Sequence, residues 1–91
     1  MSTQGTAEVD FGTGKLDTSV AVTGQAAITT SNIVEAWMNP NATADNLNGA
    51  SFAEELLVEA GDIVDATGFT IYARCVTGKA YGKFKVNWVW N

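Results

Sequence analysis

The side chains that most often carry catalysis are scarce in this sequence of 91 residues, which has no histidine and one cysteine. The missing histidine removes both the commonest general base and the commonest transition-metal ligand. The composition therefore argues against zinc sites and against catalysis by serine–histidine or cysteine–histidine pairs. Cys75 stands beside Val76 in an alternating run, where we expect a small buried residue rather than a reactive thiol.

One group of side chains, Asp45, Asn46 and Asn48, could offer oxygen ligands to calcium. It contains fewer acidic residues than a calcium-binding loop does, and aspartate and asparagine are also the residue types that ordinary turns favour. We therefore expect no metal site and no cofactor.

A second group, the acidic cluster of Glu54, Glu55 and Glu59, stands next to two leucines. Paired carboxylates can hydrolyse glycosides, but the sequence gives no sign of the enclosed cleft that this chemistry needs. A solvated strand edge is the simpler interpretation. We expect that the protein is not an enzyme.

The three tryptophans could bind a ligand by stacking on a sugar ring. Trp88 shares an alternating face with Phe84 and Val86, which predicts a role in core packing. Trp37 belongs to a run that is apolar on both faces, and Trp90 stands at the end of the chain. These two are candidates for a subunit interface, where aromatic residues are enriched.

The charges are unevenly placed: four of the five basic residues lie within positions 74–91, all ten acids lie upstream, and the formal charge is -5. This is not the balance of a nucleic-acid-binding protein. Oppositely charged ends would suit self-association or docking on a charged surface, so Arg74, Lys83 and Lys85 are further interface candidates. The alternative that the lysines guard a strand against unwanted edge pairing stays open.

The elements that would position these residues are clearest in the last third of the chain, where residues 68–75 and 81–90 both alternate with period two. We predict an antiparallel hairpin with its turn at residues 77–79. Phe84, Val86, Trp88 and Trp90 would face a core, with Lys83, Lys85 and Asn87 towards solvent. Because a hairpin cannot bury that face alone, the sequence predicts an all-β fold, a small antiparallel β-sandwich of six or seven short strands.

The rest of the chain supplies the second layer. Residues 1–6 are polar and without period, which predicts a flexible or partner-ordered arm before a single domain of residues 7–91. Strands are expected at residues 7–11, 18–23 and 33–38, the last in a central position because both its faces are apolar. A turn-rich loop at residues 39–50 precedes a strand from about residue 55, which would end in a turn at Gly61 and Asp62.

No apolar stretch approaches the ~20 residues of a membrane span, and the N-terminus lacks the features of a signal peptide. We therefore expect no contact with a membrane. Charged residues make up 16% of the chain, below the usual quarter or so. A surface rich in neutral polar groups is common in proteins that are packed into assemblies.

Six segments resemble, in the same order, a family of small uncharacterised proteins encoded by tailed bacteriophages and prophages. They are VDFG (9–12), VAVTGQ (20–25), VEAW (34–37), NATAD (41–45), GFTIYA (68–73) and VNWVWN (86–91). The resemblance implies a virion protein, made in the cytoplasm of the host bacterium. Family members carry a longer insertion where this chain has residues 77–80, so any function of that insertion would be missing here.

A fold-level resemblance to the H-type lectins rests on Gly68, Phe69 and the region of Trp88. It implies a six-stranded antiparallel sandwich that assembles as a trimer, but a shared fold does not carry a sugar site with it. The expected function is a capsid decoration or cement subunit that docks as a homo-oligomer on the major capsid protein or another virion protein. The alternative is a head-fibre or tail-fibre module that binds a host glycan. A chain of 91 residues leaves no room for a fibre shaft, which favours decoration.

Overall fold

The computed structural model describes residues 2–39, 41, 43, 46 and 55–91, and these residues form two layers of β-sheet without a helix. One sheet has the strand order β1–β6–β3, the other β2–β5–β4, and every pairing is antiparallel. The predicted all-β sandwich is confirmed, with six strands. Their bounds are β1 Thr3–Asp10, β2 Asp17–Val22, β3 Val34–Met38, β4 Leu56–Val64, β5 Gly68–Cys75 and β6 Lys83–Trp90.

The predicted hairpin between the last two strands is wrong. β5 is the middle strand of one sheet and β6 is the middle strand of the other, so residues 76–82 cross between the layers. These two strands have the strongest apolar faces, and a central position pairs both of their edges. Period-two alternation reports which face is buried and does not report which strand lies alongside.

The predicted orientation of β6 is confirmed. Phe84, Val86, Trp88 and Trp90 are all buried, whereas Lys83 is exposed and Lys85 and Asn87 are half-buried. A shift of one residue would have placed both lysines in the core, which is costly for an unpaired ammonium group.

Residues 3–6, expected as an arm, belong to β1 instead. Thr3 is the register partner of Trp90, and Gly5 is the partner of Trp88. The threonines and glycine of this segment carry no apolar periodicity, so the pattern did not reveal a strand. The segment is ordered because it pairs with β6 and covers the indole of Trp88.

β3 is an edge strand rather than the predicted central one. Its inner residues Val34, Ala36 and Met38 are only half-buried. On its outer side, Trp37 is 47% exposed, and Ile33, which precedes the strand, is 69% exposed. The apolar residues on both faces therefore reflect an uncovered outer surface and not burial on two sides.

The predicted turn at Gly61 and Asp62 is also wrong, because β4 continues through both residues. A bulge between Gly61 and Val64 shifts the pairing register with β5, and Val64 then pairs with Gly68 across a hairpin turn at residues 65–67. The turn is attached to the connection between β2 and β3, since the amide of Ala66 donates to the carbonyl of Ile28 at 2.9 Å.

The core lies between the two sheets. Phe11 and Phe84 meet edge to face with ring centroids 5.8 Å apart, and Phe69 meets Trp88 in the same way at 5.3 Å. The second contact joins the central strands of the two layers. Burying each of these large side chains stabilises the fold by roughly 1.5–3 kcal/mol. In the described part of the chain, no helix is long and apolar enough to cross a membrane.

Candidate functional site

The two tryptophans proposed for an interface have different environments. Trp90 is 8% exposed, and its indole Nε1 donates to Oε1 of Gln25 at 2.9 Å. The side chain of Trp90 is therefore part of the core, and little of its surface is available to a neighbouring subunit. Trp37, in contrast, is a large aromatic residue exposed on the outer surface of the sheet β1–β6–β3. We call that surface the β6 face.

The β6 face mixes charges that are separate along the chain. In the register, Glu8 lies opposite Lys85 and Asp10 lies opposite Lys83. Opposite charges in such cross-strand positions stabilise a sheet by roughly 0.2–1 kcal/mol per pair. The expectation of electrostatically distinct ends is therefore wrong, because the fold returns the basic strand β6 to the acidic strand β1.

The apolar part of the β6 face lies along β3. Ile33 and Trp37 stand on the outer side at alternate positions with Glu35 between them, and Asn87 of β6 is the register partner of Trp37. Asn87 also accepts a hydrogen bond through Oδ1 from the side-chain amide of Asn39 at 3.0 Å. The result is an aromatic and aliphatic strip at the edge of a polar sheet surface.

Arg74, the remaining interface candidate, lies on the other side of the molecule. It belongs to the outer surface of the sheet β2–β5–β4, which we call the β5 face. The structure therefore brings Lys83, Lys85 and Trp37 together on the β6 face and separates Arg74 from them.

The β5 face contains a shallow hollow of ≈ 760 Å³. β2, β5 and β4 each contribute three consecutive residues to its lining, and the side chains that alternate outward belong to six of them: Asp17, Ser19, Leu57, Glu59, Tyr72 and Arg74. In the register, Asp17, Arg74 and Leu57 form one row across the strands, and Ser19, Tyr72 and Glu59 form the next.

The side chain of Tyr72 in this hollow is hydrogen-bonded to a residue of its own sheet. Its hydroxyl donates to the Oδ2 of Asp62 in the bulged part of β4. The hydrogen bond to Asp62 raises the pKa of Tyr72 above its ordinary value, and desolvation and the negative charges of Asp62 and Glu59 act in the same direction. Asp62 has a φ of 54°, a left-handed conformation that aspartate tolerates better than most residues.

The remaining candidates are accounted for by structure. Cys75 is 4% exposed, with its Sγ 3.4 Å from Oγ1 of Thr77, which confirms the expected buried position. The side-chain amide of Asn46 donates to the backbone carbonyls of Tyr81 and Lys83 at 3.1 and 2.8 Å. Asp45, Asn48 and Glu54 lie outside the described residues, as does most of the predicted loop.

Among the described residues, no group of three or more histidine, cysteine, aspartate or glutamate side chains could hold a metal ion. The sequence did not single out Tyr72, Leu57 or Asp17 as site residues. The outward alternation of Tyr72 and Arg74 in β5 was visible, but their neighbours on β2 and β4 depend on pairing that the sequence left open.

Comparison of the chain with protein-family models, with curated proteins and with solved structures gives no match.

Proposed function

We propose that this protein is a structural subunit of a bacteriophage particle, a capsid decoration or cement protein that works as a homo-oligomer, most concretely a trimer. Its partners would be further copies of itself and the major capsid protein or another virion protein. The location in a virion is proposed from the resemblance of six sequence segments to phage proteins. The trimeric state is proposed from the analogy with H-type lectins. The observation that supports the oligomer is the exposure of Trp37 and Ile33 on the outer side of β3.

Exposed apolar residues alone are a weak argument, because more than half of an ordinary protein surface is apolar. Among the described residues of this chain, however, eight large hydrophobic side chains are exposed: Leu16, Ile33, Trp37, Leu57, Val64, Tyr72, Val76 and Tyr81. A tryptophan that is 47% exposed is less usual, because tryptophan is enriched in interfaces and in their energetic centres.

The β6 face is suited to a subunit contact for a second reason. Its lysines lie opposite carboxylates of the same chain in the register, so the face carries charges of both signs rather than a field of one sign that would repel a second copy. Ile33 and Trp37 on the edge strand β3 would supply the apolar part of the contact, and the charged positions of β1 and β6 its polar part.

The oligomer is tested by sedimentation velocity and native mass spectrometry over a wide range of protein concentration. We expect a trimer, and we expect Trp37→Ala to shift it towards monomer without unfolding the subunit. Leu16→Ala is the matched control, because Leu16 is 58% exposed but lies in the connection between β1 and β2. A protein that stays monomeric at high concentration would contradict the oligomer.

The virion is tested separately, by mass spectrometry and electron microscopy of particles purified from the host that encodes the chain. We expect the protein in stoichiometric amounts, with density for a small sandwich on the capsid. Its absence from purified particles would contradict the decoration proposal.

A second candidate function, recognition of a host glycan by a head-fibre or tail-fibre module, is favoured by one observation. Tyr72 is 41% exposed in the hollow on the β5 face, among carboxylate, guanidinium and hydroxyl groups.

A further inference from the structure

We propose that the hollow on the β5 face binds a neutral sugar unit of a glycan, with Tyr72 as its aromatic platform. The hollow is shallow and open, with a volume of ≈ 760 Å³, so a ligand there would lie on the surface of the sheet with one face in solvent. It lies on the opposite sheet from Trp37, so a subunit that is packed through its β6 face would still present this hollow to solvent. The proposal rests on the second candidate function, for which it names the ligand and the site, and it does not rest on the virion function.

The apolar part of the hollow is formed by Tyr72 and Leu57. Their side chains are 41% and 58% exposed, and they lie in adjacent rows of neighbouring strands. Because the Tyr72 hydroxyl is bound to Asp62, the ring is held in one orientation before any ligand arrives. A fixed aromatic ring is a good platform for the C–H face of a pyranose, since less side-chain freedom is lost on binding.

The polar groups around the ring match the hydroxyls of a sugar. Asp17 and Glu59 bring carboxylates, which accept hydrogen bonds, Arg74 brings a guanidinium, which donates them, and Ser19 can do both. Asp17 and Ser19 are on β2, and Glu59 is on β4, two strand spacings away. Two spacings are about 9–10 Å, which is wide enough for one pyranose ring between the groups that would bind its hydroxyls.

Charge decides against anionic ligands. Asp17 and Glu59 outnumber Arg74 within the hollow, and the whole chain carries -5, so phosphates, nucleic acids and acidic sugars would be repelled. A basic peptide is the competing occupant. The net negative lining would attract a cation, whereas Arg74, two residues from Tyr72 on the same strand face, would repel one placed directly over the ring, and a lysine-rich peptide tests this occupant directly.

The experiment uses the intact chain and two sets of probes. The first set contains methyl glycosides of glucose, galactose, mannose and N-acetylglucosamine, and the second contains a lysine-rich peptide and inorganic phosphate. Binding is followed by ¹H–¹⁵N chemical-shift perturbation, which also locates the site, and a glycan array extends the screen. We expect at least one neutral glycoside to give saturable shifts centred on Tyr72, Glu59 and Arg74.

Variants of exposed residues test the assignment without disturbing the core. We expect Tyr72→Ala and Glu59→Gln each to weaken binding roughly tenfold or more. Tyr72→Phe, which keeps the ring and loses the bond to Asp62, should weaken it less than Tyr72→Ala does. Tyr81→Ala is a control that should leave affinity unchanged.

Three results would overturn the sugar site. They are the absence of saturable binding by any neutral glycan, shifts that centre on Trp37, and affinity that survives Tyr72→Ala in a folded variant. Saturable binding of the lysine-rich peptide in the hollow, with no glycan bound, would replace the sugar by a basic partner. None of these outcomes bears on the oligomeric state, which is measured independently.

Discussion

Gly5 in β1 lies so close to the indole of Trp88 in β6 that a Cβ added at Gly5 would stand 2.5 Å from Cζ2 of Trp88. The two residues are register partners, and Ala36 is the partner of Trp88 on its other side. Trp88 therefore fits into its sheet between two of the smallest residues. The N-terminal segment is thus part of the core packing, although its composition is that of a polar arm.

Gly5→Ala should destabilise the fold by about 1–3 kcal/mol, because the new methyl group must displace a buried ring. Gly61→Ala is the matched control, since a Cβ at Gly61 in β4 would meet nothing within 4 Å. Urea unfolding followed by tryptophan fluorescence measures both variants. An equal effect of the two substitutions would contradict the proposed contact between Gly5 and Trp88.

Trp88→Ala should cost roughly 3–5 kcal/mol and leave so small a domain largely unfolded. Trp88 is 6% exposed and meets Phe69 across the sandwich. Trp37→Ala should change the stability of one subunit by no more than about 0.5 kcal/mol, as expected for a surface position. Thermal unfolding at a concentration where the protein is monomeric separates the two effects. A larger loss from Trp37→Ala than from Trp88→Ala would contradict the orientation of both strands.

Tyr72 should titrate above its ordinary pKa, because the hydrogen bond to Asp62 and nearby negative charge favour the protonated phenol. A raised pKa in the folded state means that this contribution to stability is fully present below the unfolded pKa of about 10 and is lost as the pH rises through the folded value. Ultraviolet titration in a Tyr81→Phe background reports Tyr72 alone. Asp62→Gly, which tolerates the φ of 54°, should return the pKa towards its ordinary value. An unchanged pKa would show that Asp62 is not the cause.

Cys75 should be inert in the folded protein, because its side chain is 4% exposed and thiol reagents need access to sulfur. We expect reaction with a thiol-specific dye only after denaturation. Cys75→Ala and Cys75→Val should preserve the oligomer, and reducing agents should have no effect on it. Dissociation on reduction would reveal an intermolecular disulfide.

The strand periodicities allowed the faces of β5 and β6 to be predicted, but not their partners. Lys85 and Val86 took the expected sides because a period of two leaves only two choices, and one of them buries an ammonium group. The position of β3 could not be predicted, since apolar residues on both faces are equally compatible with a central strand and with an edge strand that has an uncovered surface. Trp37 is exposed for the second reason.

The sequence by itself determined the fold class and the inward side of the central strands, because the alternation of apolar and polar side chains is a local property of the chain. The tertiary structure decided that β5 and β6 lie in different sheets, that Glu8 lies beside Lys85, and that Tyr72 shares a hollow with Asp17 and Glu59. Backbone hydrogen bonds are the same whichever strands pair, so the choice among partners falls to contacts between residues far apart in the chain. The site on the β5 face depends on that choice, and this is why no single stretch of the sequence revealed it.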